Sequence, residues 1–124
     1  MYGAWDVSIY DNALLTFTLN VTRMVLCSQL PTTFTEANVT YLLGYKDSYT
    51  VASPTDSLSG GRQVICPAVT GGSIIANGTI AYYELLDTVL NKLLATKILT
   101  TSHVVVNGNT WSCSAFSHSI PVAY

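Results

Sequence analysis

Hydrophobic and polar positions alternate with a strand-like period along most of this chain, and the period changes only near its start. The stretch "RQVICPAV" (residues 62–69) predicts a strand, "TGG" after it a turn, and "SIIANGTIAYYELLD" a long strand broken at Asn77-Gly78. "TVLN" then reverses the chain and "KLLATKIL" returns. "VVV" leads through Asn107-Gly108 into "TWSCSAF", which reads as a β-hairpin around an Asn-Gly turn. In "TWSCSAF", Trp111, Cys113 and Ala115 fall on one face, and Thr110, Ser112, Ser114 and Phe116 on the other. One face can join a core while the other stays lined with hydroxyls. "YYELLDTVLNKLLATKIL" is also compatible with a helix, because Leu, Lys and Ala are good helix formers. The β-branched run before it and the turn after Asp87 favour the hairpin.

Upstream, Asp11 is placed to cap a helix over "NALLTFTLNVTR", with Leu14, Leu15, Thr18, Leu19 and Thr22 near helical spacing and Arg23 at its end. "MVLCSQ" predicts a buried strand ending before Pro31. "PTTFTEANVT" predicts a single helical turn, with Thr32 or Thr33 as cap and Glu36 reaching back. "YLLGYK" predicts a strand with a bulge at Gly44. Residues 47–61, dense in Ser, Asp, Pro and Gly, predict a long loop, which in a compact domain is uncommon unless it contacts something. Strand-length segments every 8–12 residues or so predict a mainly β fold, an antiparallel β-sandwich or barrel-like domain with a short N-terminal helix. A single domain over residues 1–124 is expected, with an N-terminal arm at 1–10 and a C-terminal tail at 119–124.

Composition turns this picture toward assembly. Only 10% of the residues are charged, whereas 49% are apolar; a typical soluble domain carries about 25% charged residues. The deficit is filled by Ser, Thr, Asn, Gly and Tyr, and no apolar run approaches the roughly 20 residues of a membrane helix, so no membrane association is expected. A surface poor in Lys and Glu but rich in Thr and Tyr resembles one meant to be covered. The net charge is −2, and the basic residues Arg23, Lys46, Arg62, Lys92 and Lys97 stand singly, which argues against nucleic acid as a partner. The start "MYGAWDVSIYD" lacks the basic and apolar regions of a signal peptide. The N-x-T triplets at Asn20, Asn38 and Asn77 are therefore read as unglycosylated. Tyr2, Trp5, Tyr10, Tyr41, Tyr45, Tyr49, Tyr82, Tyr83 and Tyr124 exceed what one small core can hide. Packing between chains would use them, with phenol hydroxyls reaching a neighbour's backbone. Tyr2, Trp5, Tyr10, Tyr49 and Tyr124 are the candidate subunit contacts.

The search for reactive chemistry finds no catalytic, cofactor-binding or metal site. Ser114, His118 and Asp87 can be assembled into a triad on paper, but no G-x-S-x-G elbow surrounds any serine. Cys113 with His103 or His118 would make a thiolate pair; "MVLCS", "QVICP" and "WSCSAF" instead place Cys27, Cys66 and Cys113 in settings typical of buried, reduced thiols. Glu84 and Asp87 read as solvated or turn-capping carboxylates rather than a glycosidase pair. "GGRQ" and "TGGS" lack phosphate-loop spacing. The chain reads as a non-enzyme.

Four stretches taken in order, "VLCSQLPTTFTEANVTYLLGYK", "SGGRQVICPAV", "GTIAYYELLDTVLNKLLATKIL" and "VNGNTWSCSAFSHSIP", resemble a family of small uncharacterised structural proteins of tailed bacteriophages. The resemblance covers about residues 11–121 and rests on turn and core residues, so it speaks to fold rather than activity. It implies a virion component, most like a capsid cement (decoration) protein that binds the major capsid protein and itself, as a homotrimer, on the phage head. Head-tail connector, tail-tube and head-fibre roles are the alternatives within a particle; a carbohydrate-binding β-sandwich is the alternative outside one. Assembly in the bacterial cytoplasm needs no disulfide, in keeping with three unpaired cysteines.

Overall fold

The structure is a computed structural model that describes residues 7–56 and 61–120, with side chains described over 12–56 and 61–117. It is mainly β and antiparallel, with one short helix at its N-terminal end. The elements in order are α1 (Val7–Asn20), β1 (Arg23–Cys27), a π-helical turn (Glu36–Thr40), β2 (Leu42–Asp47), β3 (Thr55–Asp56), β4 (Arg62–Cys66), β5 (Val69–Ile74), β6 (Gly78–Asp87), β7 (Lys92–Val105), β8 (Thr110–Cys113) and β9 (Phe116–Ile120). The backbone gathers into two compact units: one contains α1 and the sheet β3-β4-β9, the other the sheet β7-β6-β1-β2-β5-β8.

In the first unit α1 begins before Asp11, which lies inside the helix rather than capping it, and Arg23 belongs to β1. The β-branched residues are accommodated because Thr16 and Thr18 donate their hydroxyls back to the carbonyls of Asn12 and Leu15. At the end Asn20 donates its amide to the Thr16 carbonyl. The helix lies against β4, whose Val64 and Cys66 are buried. β3 interrupts the expected 47–61 loop: Thr55 pairs with Gln63, and Arg62 forms a 2.6 Å ion pair with the exposed Asp56.

In the second unit β1 is central, flanked by β2 and β6. Met24, Val25, Leu26 and Cys27 are all 5% exposed or less, so both faces of this strand are covered. That explains a continuous apolar run where alternation would mark a strand with one wet face. The register of β1 on β2 shifts between Leu26 and Cys27, a bulge beside Gly44 as the sequence predicts. Over β1 lies residues 31–41, held by reciprocal bonds: the Glu36 carboxylate accepts from the Thr32 N–H and hydroxyl, and the Glu36 N–H donates to the Thr33 hydroxyl. This is the predicted cap, opening a π-helical turn rather than an ordinary one.

Three expectations fail for one reason, the position of distant strands. "RQVICPAV" is not one strand but β4 and β5, which Pro67 separates and which lie in different sheets. "TGG" is not a turn but a bulge inside β5, with Gly71 at φ +69°. The Asn107-Gly108 turn forms, but β7 and β8 do not pair. They occupy opposite edges of the six-stranded sheet, and β8 pairs with β5.

Six strands about 4.8 Å apart would place the edges of a flat sheet roughly 24 Å apart. Four linking residues cannot reach that far even fully extended, at about 3.5 Å each. The sheet must therefore curl, bringing its edges together at this corner. The turn is docked there, with Asn107 N–H donating to the Asn77 side chain and Gly108 N–H to the Ile74 carbonyl. By contrast β6 and β7 do form the hairpin expected across Thr88–Asn91, with Asn91 at φ +56°.

Curling also requires close approaches. A Cβ on Gly72 would stand inside the indole of Trp111, and one on Gly44 would lie 2.7 Å from the Ser73 carbonyl oxygen. Trp111 donates its Nε1–H to that same Ser73 carbonyl at 3.2 Å.

Candidate functional site

Two features of the second unit stand out. The first is an outward apolar surface. β7 has β6 on one side and, among the described residues, no strand on the other. It exposes Ile98 (65%) and Val104 (81%). Its register on β6 shifts twice, once near Leu94 and again over residues 99–102, so the open edge is interrupted by bulges.

The β6–β7 turn exposes Val89 (78%) and Leu90 (59%), yet its backbone is tightly braced. The buried Asp87 carboxylate accepts the N–H groups of both residues, at 2.9 and 3.0 Å. Thr22 takes the Thr88 N–H and shares a 2.7 Å bond with its hydroxyl. Holding a buried carboxylate in a tip that displays two large apolar side chains makes a rigid knob. The π-helical turn likewise presents Val39, and α1 in the first unit presents Leu19. Sequence reasoning looked for the contact surface on aromatic residues; the exposed side chains seen here are aliphatic.

Tyr2, Trp5 and Tyr124 lie outside the described residues, and Tyr10 lies on α1 with its side chain outside the described ones. Tyr49 is a correction: it is only 5% exposed, and its N–H donates to the Thr22 carbonyl. Its ring belongs to this chain's own interior and offers little surface to a neighbour. The loop in which it stands suggested exposure, whereas the backbone there is tied to Thr22 and the residue is buried.

The second feature is a buried acid. Glu84 on β6 is fully buried, and neither carboxylate oxygen has a hydrogen-bond partner. This corrects the expectation of a solvated carboxylate. It pairs in register with Val25 on β1, sharing the face that carries Cys27 and Leu86. Around Val25, Cys27, Ala37 and Leu86 pack Phe34, Tyr41, Leu42, Tyr45 and Leu93. The Cys27 thiol donates its one proton to the Ala37 carbonyl at 3.4 Å.

Burial pushes the Glu84 carboxyl up to about 8, and the thiol beside it offsets this only in part. Burial, and then the negative charge of Glu84, raise Cys27 in turn. Nearby, Arg23 is engaged by Asp47 at 2.6 Å, by Asn38 at 2.9 Å and by the Tyr45 ring at 4.8 Å. The signal missed in the sequence is the setting of Glu84, with "YY" before it and "LL" after it. An acid inside an otherwise apolar run marks a strand covered on both faces.

The residues considered for catalysis are placed as follows. Asp87 is committed to its turn, and the side chain of His118 lies outside the described ones. Cys27, Cys66 and Cys113 are thiols, the first two buried and Cys113 half-buried. Among the described residues, no three His, Cys, Asp or Glu side chains lie together as a metal site, and no helix is long and apolar enough to cross a membrane. Compared with protein-family models, with curated proteins and with solved structures, the chain finds no match in any of the three.

Proposed function

We propose that the chain is a structural protein of a tailed-bacteriophage particle, a cement protein that binds the major capsid protein on the head. Its work is packing rather than chemistry. The observation that carries the reading is the surface of the second unit. Large apolar side chains at Val89, Leu90, Ile98 and Val104 stand exposed beside an open strand edge, in a chain with only 10% charged residues. Scattered exposed apolar residues are ordinary. Here two of them sit on a braced tip and two on a strand edge that is unpartnered among the described residues, which suits a surface completed by neighbouring subunits. The sequence resemblance to phage structural proteins supplies the kind of assembly, with self-association as a homotrimer and assembly in the bacterial cytoplasm.

The test is the copy number of the chain in purified particles of the phage that encodes it, by quantitative mass spectrometry. Hundreds of copies, released together with loss of head stability, are expected of a cement. A dozen or fewer would indicate a connector or fibre component. Absence from the particle would end the virion reading. Deleting residues 1–8, which takes the first two residues of α1 along with the segment before it, is expected to leave a folded chain with weakened attachment to the particle; unchanged occupancy would remove the arm from the interface.

A further inference from the structure

Glu84 has no place in the packing role just described. A carboxylic acid can be held without partners in an apolar site, whereas a carboxylate cannot be held there without large cost. The groups around it compensate little, the Cys27 thiol offsetting the cost of burial only in part. β1 presents the Cys27 thiol, already bonded to Ala37, and farther along the strand Arg23, already bonded to Asp47 and Asn38. β7 opposes it with Thr96, and Tyr82 precedes it by two residues on β6. β2 brings the phenol of Tyr45, and the covering segment brings the phenol of Tyr41 and the Glu36 carboxylate, which Thr32 holds.

The covering segment itself is short. Residues 31–41 are tied to β1 by the Ser28 N–H bond to the Tyr41 carbonyl, by the thiol bond to Ala37 and by the Arg23 bond to Asn38. We propose that Glu84 is a proton-operated latch: its neutral carboxyl lets residues 31–41 close over β1 and β6, and loss of the proton releases that segment and uncovers Cys27. The inference is independent of the particle reading.

The test is the alkylation of Cys27 by iodoacetamide, followed in the full chain between pH 6 and 8 at low reagent concentration. Quantifying the Cys27 peptide by mass spectrometry keeps Cys66 and Cys113 out of the measurement. Below the usual thiol range, each pH unit raises the thiolate of an opened chain about tenfold. If opening also discharges the Glu84 proton, linkage adds a second factor of about ten per unit. The wild-type rate is therefore expected to climb about a hundredfold per pH unit, and Glu84→Gln about tenfold. Glu84→Leu, which suits the apolar surroundings, serves equally should the amide disturb folding. A tenfold dependence in the wild type overturns the latch. So does a hundredfold dependence that persists in the variants, since the second proton would then come from another group.

Discussion

Substituting Gly72 by Ala isolates the contact that lets the sheet curl. The backbone at Gly72 is one that alanine can adopt, so the consequence comes from space alone. The added methyl falls inside the Trp111 indole and must push it off the β5 backbone. Overfilling a packed site costs about 1–3 kcal/mol. Displacing the indole also removes the Nε1–H bond to the Ser73 carbonyl, worth about 0.5–1.5 kcal/mol net. A loss of about 2–4 kcal/mol is expected for Gly72→Ala.

Trp111→Ala removes the same bond and a half-buried ring, at a cost of about 2–3 kcal/mol, below the range for a fully buried tryptophan. The decisive variant is the double one. With the indole gone, the methyl at 72 has nothing to strike, so the double variant should be no less stable than Trp111→Ala alone. The coupling is then about 2 kcal/mol or more. Urea unfolding followed by far-ultraviolet circular dichroism measures all four proteins without depending on tryptophan emission. Strictly additive losses, or a Gly72→Ala midpoint indistinguishable from wild type, would refute the reasoning.

Other outcomes follow from the same structure. Asp87→Ala leaves the Val89 and Leu90 N–H groups without their acceptor and should cost about 1–3 kcal/mol by urea unfolding, with Asp87→Asn losing less because an oxygen remains. For Glu84 the folded chain binds the proton more tightly than the unfolded one, so stability is full below the ordinary value of 4.5 and falls as pH rises through about 8. At about 1.36 kcal/mol per pH unit the span is worth about 5 kcal/mol. Glu84→Gln should flatten this fall in unfolding curves taken from pH 5 to 9. Glu36 behaves oppositely: the Thr32 N–H and hydroxyl hold its carboxyl below the usual range. The stability it lends is present above that range and lost as pH falls, so Glu36→Gln should reduce the acid sensitivity seen in the same titration.

What could be read from the sequence was whatever neighbouring residues decide. The β6–β7 hairpin, the bulge beside Gly44 and the Thr32/Thr33–Glu36 cap depend on partners a few residues away or on strong local turn chemistry. The Asn107-Gly108 turn shows where such reading stops. The turn chemistry is right, but the choice of β5 as partner for β8 depends on how far the whole sheet curls. Thr70-Gly71-Gly72 looks like a turn because glycines are needed, yet Gly71 serves the bulge with its positive φ and Gly72 makes room for Trp111, some forty residues on. Glu84 and Tyr49 were misread through polarity and loop context, since burial is set by what folds over a residue. The apolar surface was visible only as a shortage of charge; its location on β7 and the Val89–Leu90 tip required the topology.

The bulges in β7 bear on how the chain behaves when it is concentrated. A fourteen-residue edge with few charges would ordinarily invite stacking into fibres, because net charge −2 gives little mutual repulsion. Shifts near Leu94 and over residues 99–102 divide that edge into runs such as 95–98 and 103–105. Neither run reaches the six or seven residues that a tightly interdigitated fibril spine uses. A strand so divided can take a few backbone bonds from another chain and no more, so its edge gives an incoming strand no continuous template to extend.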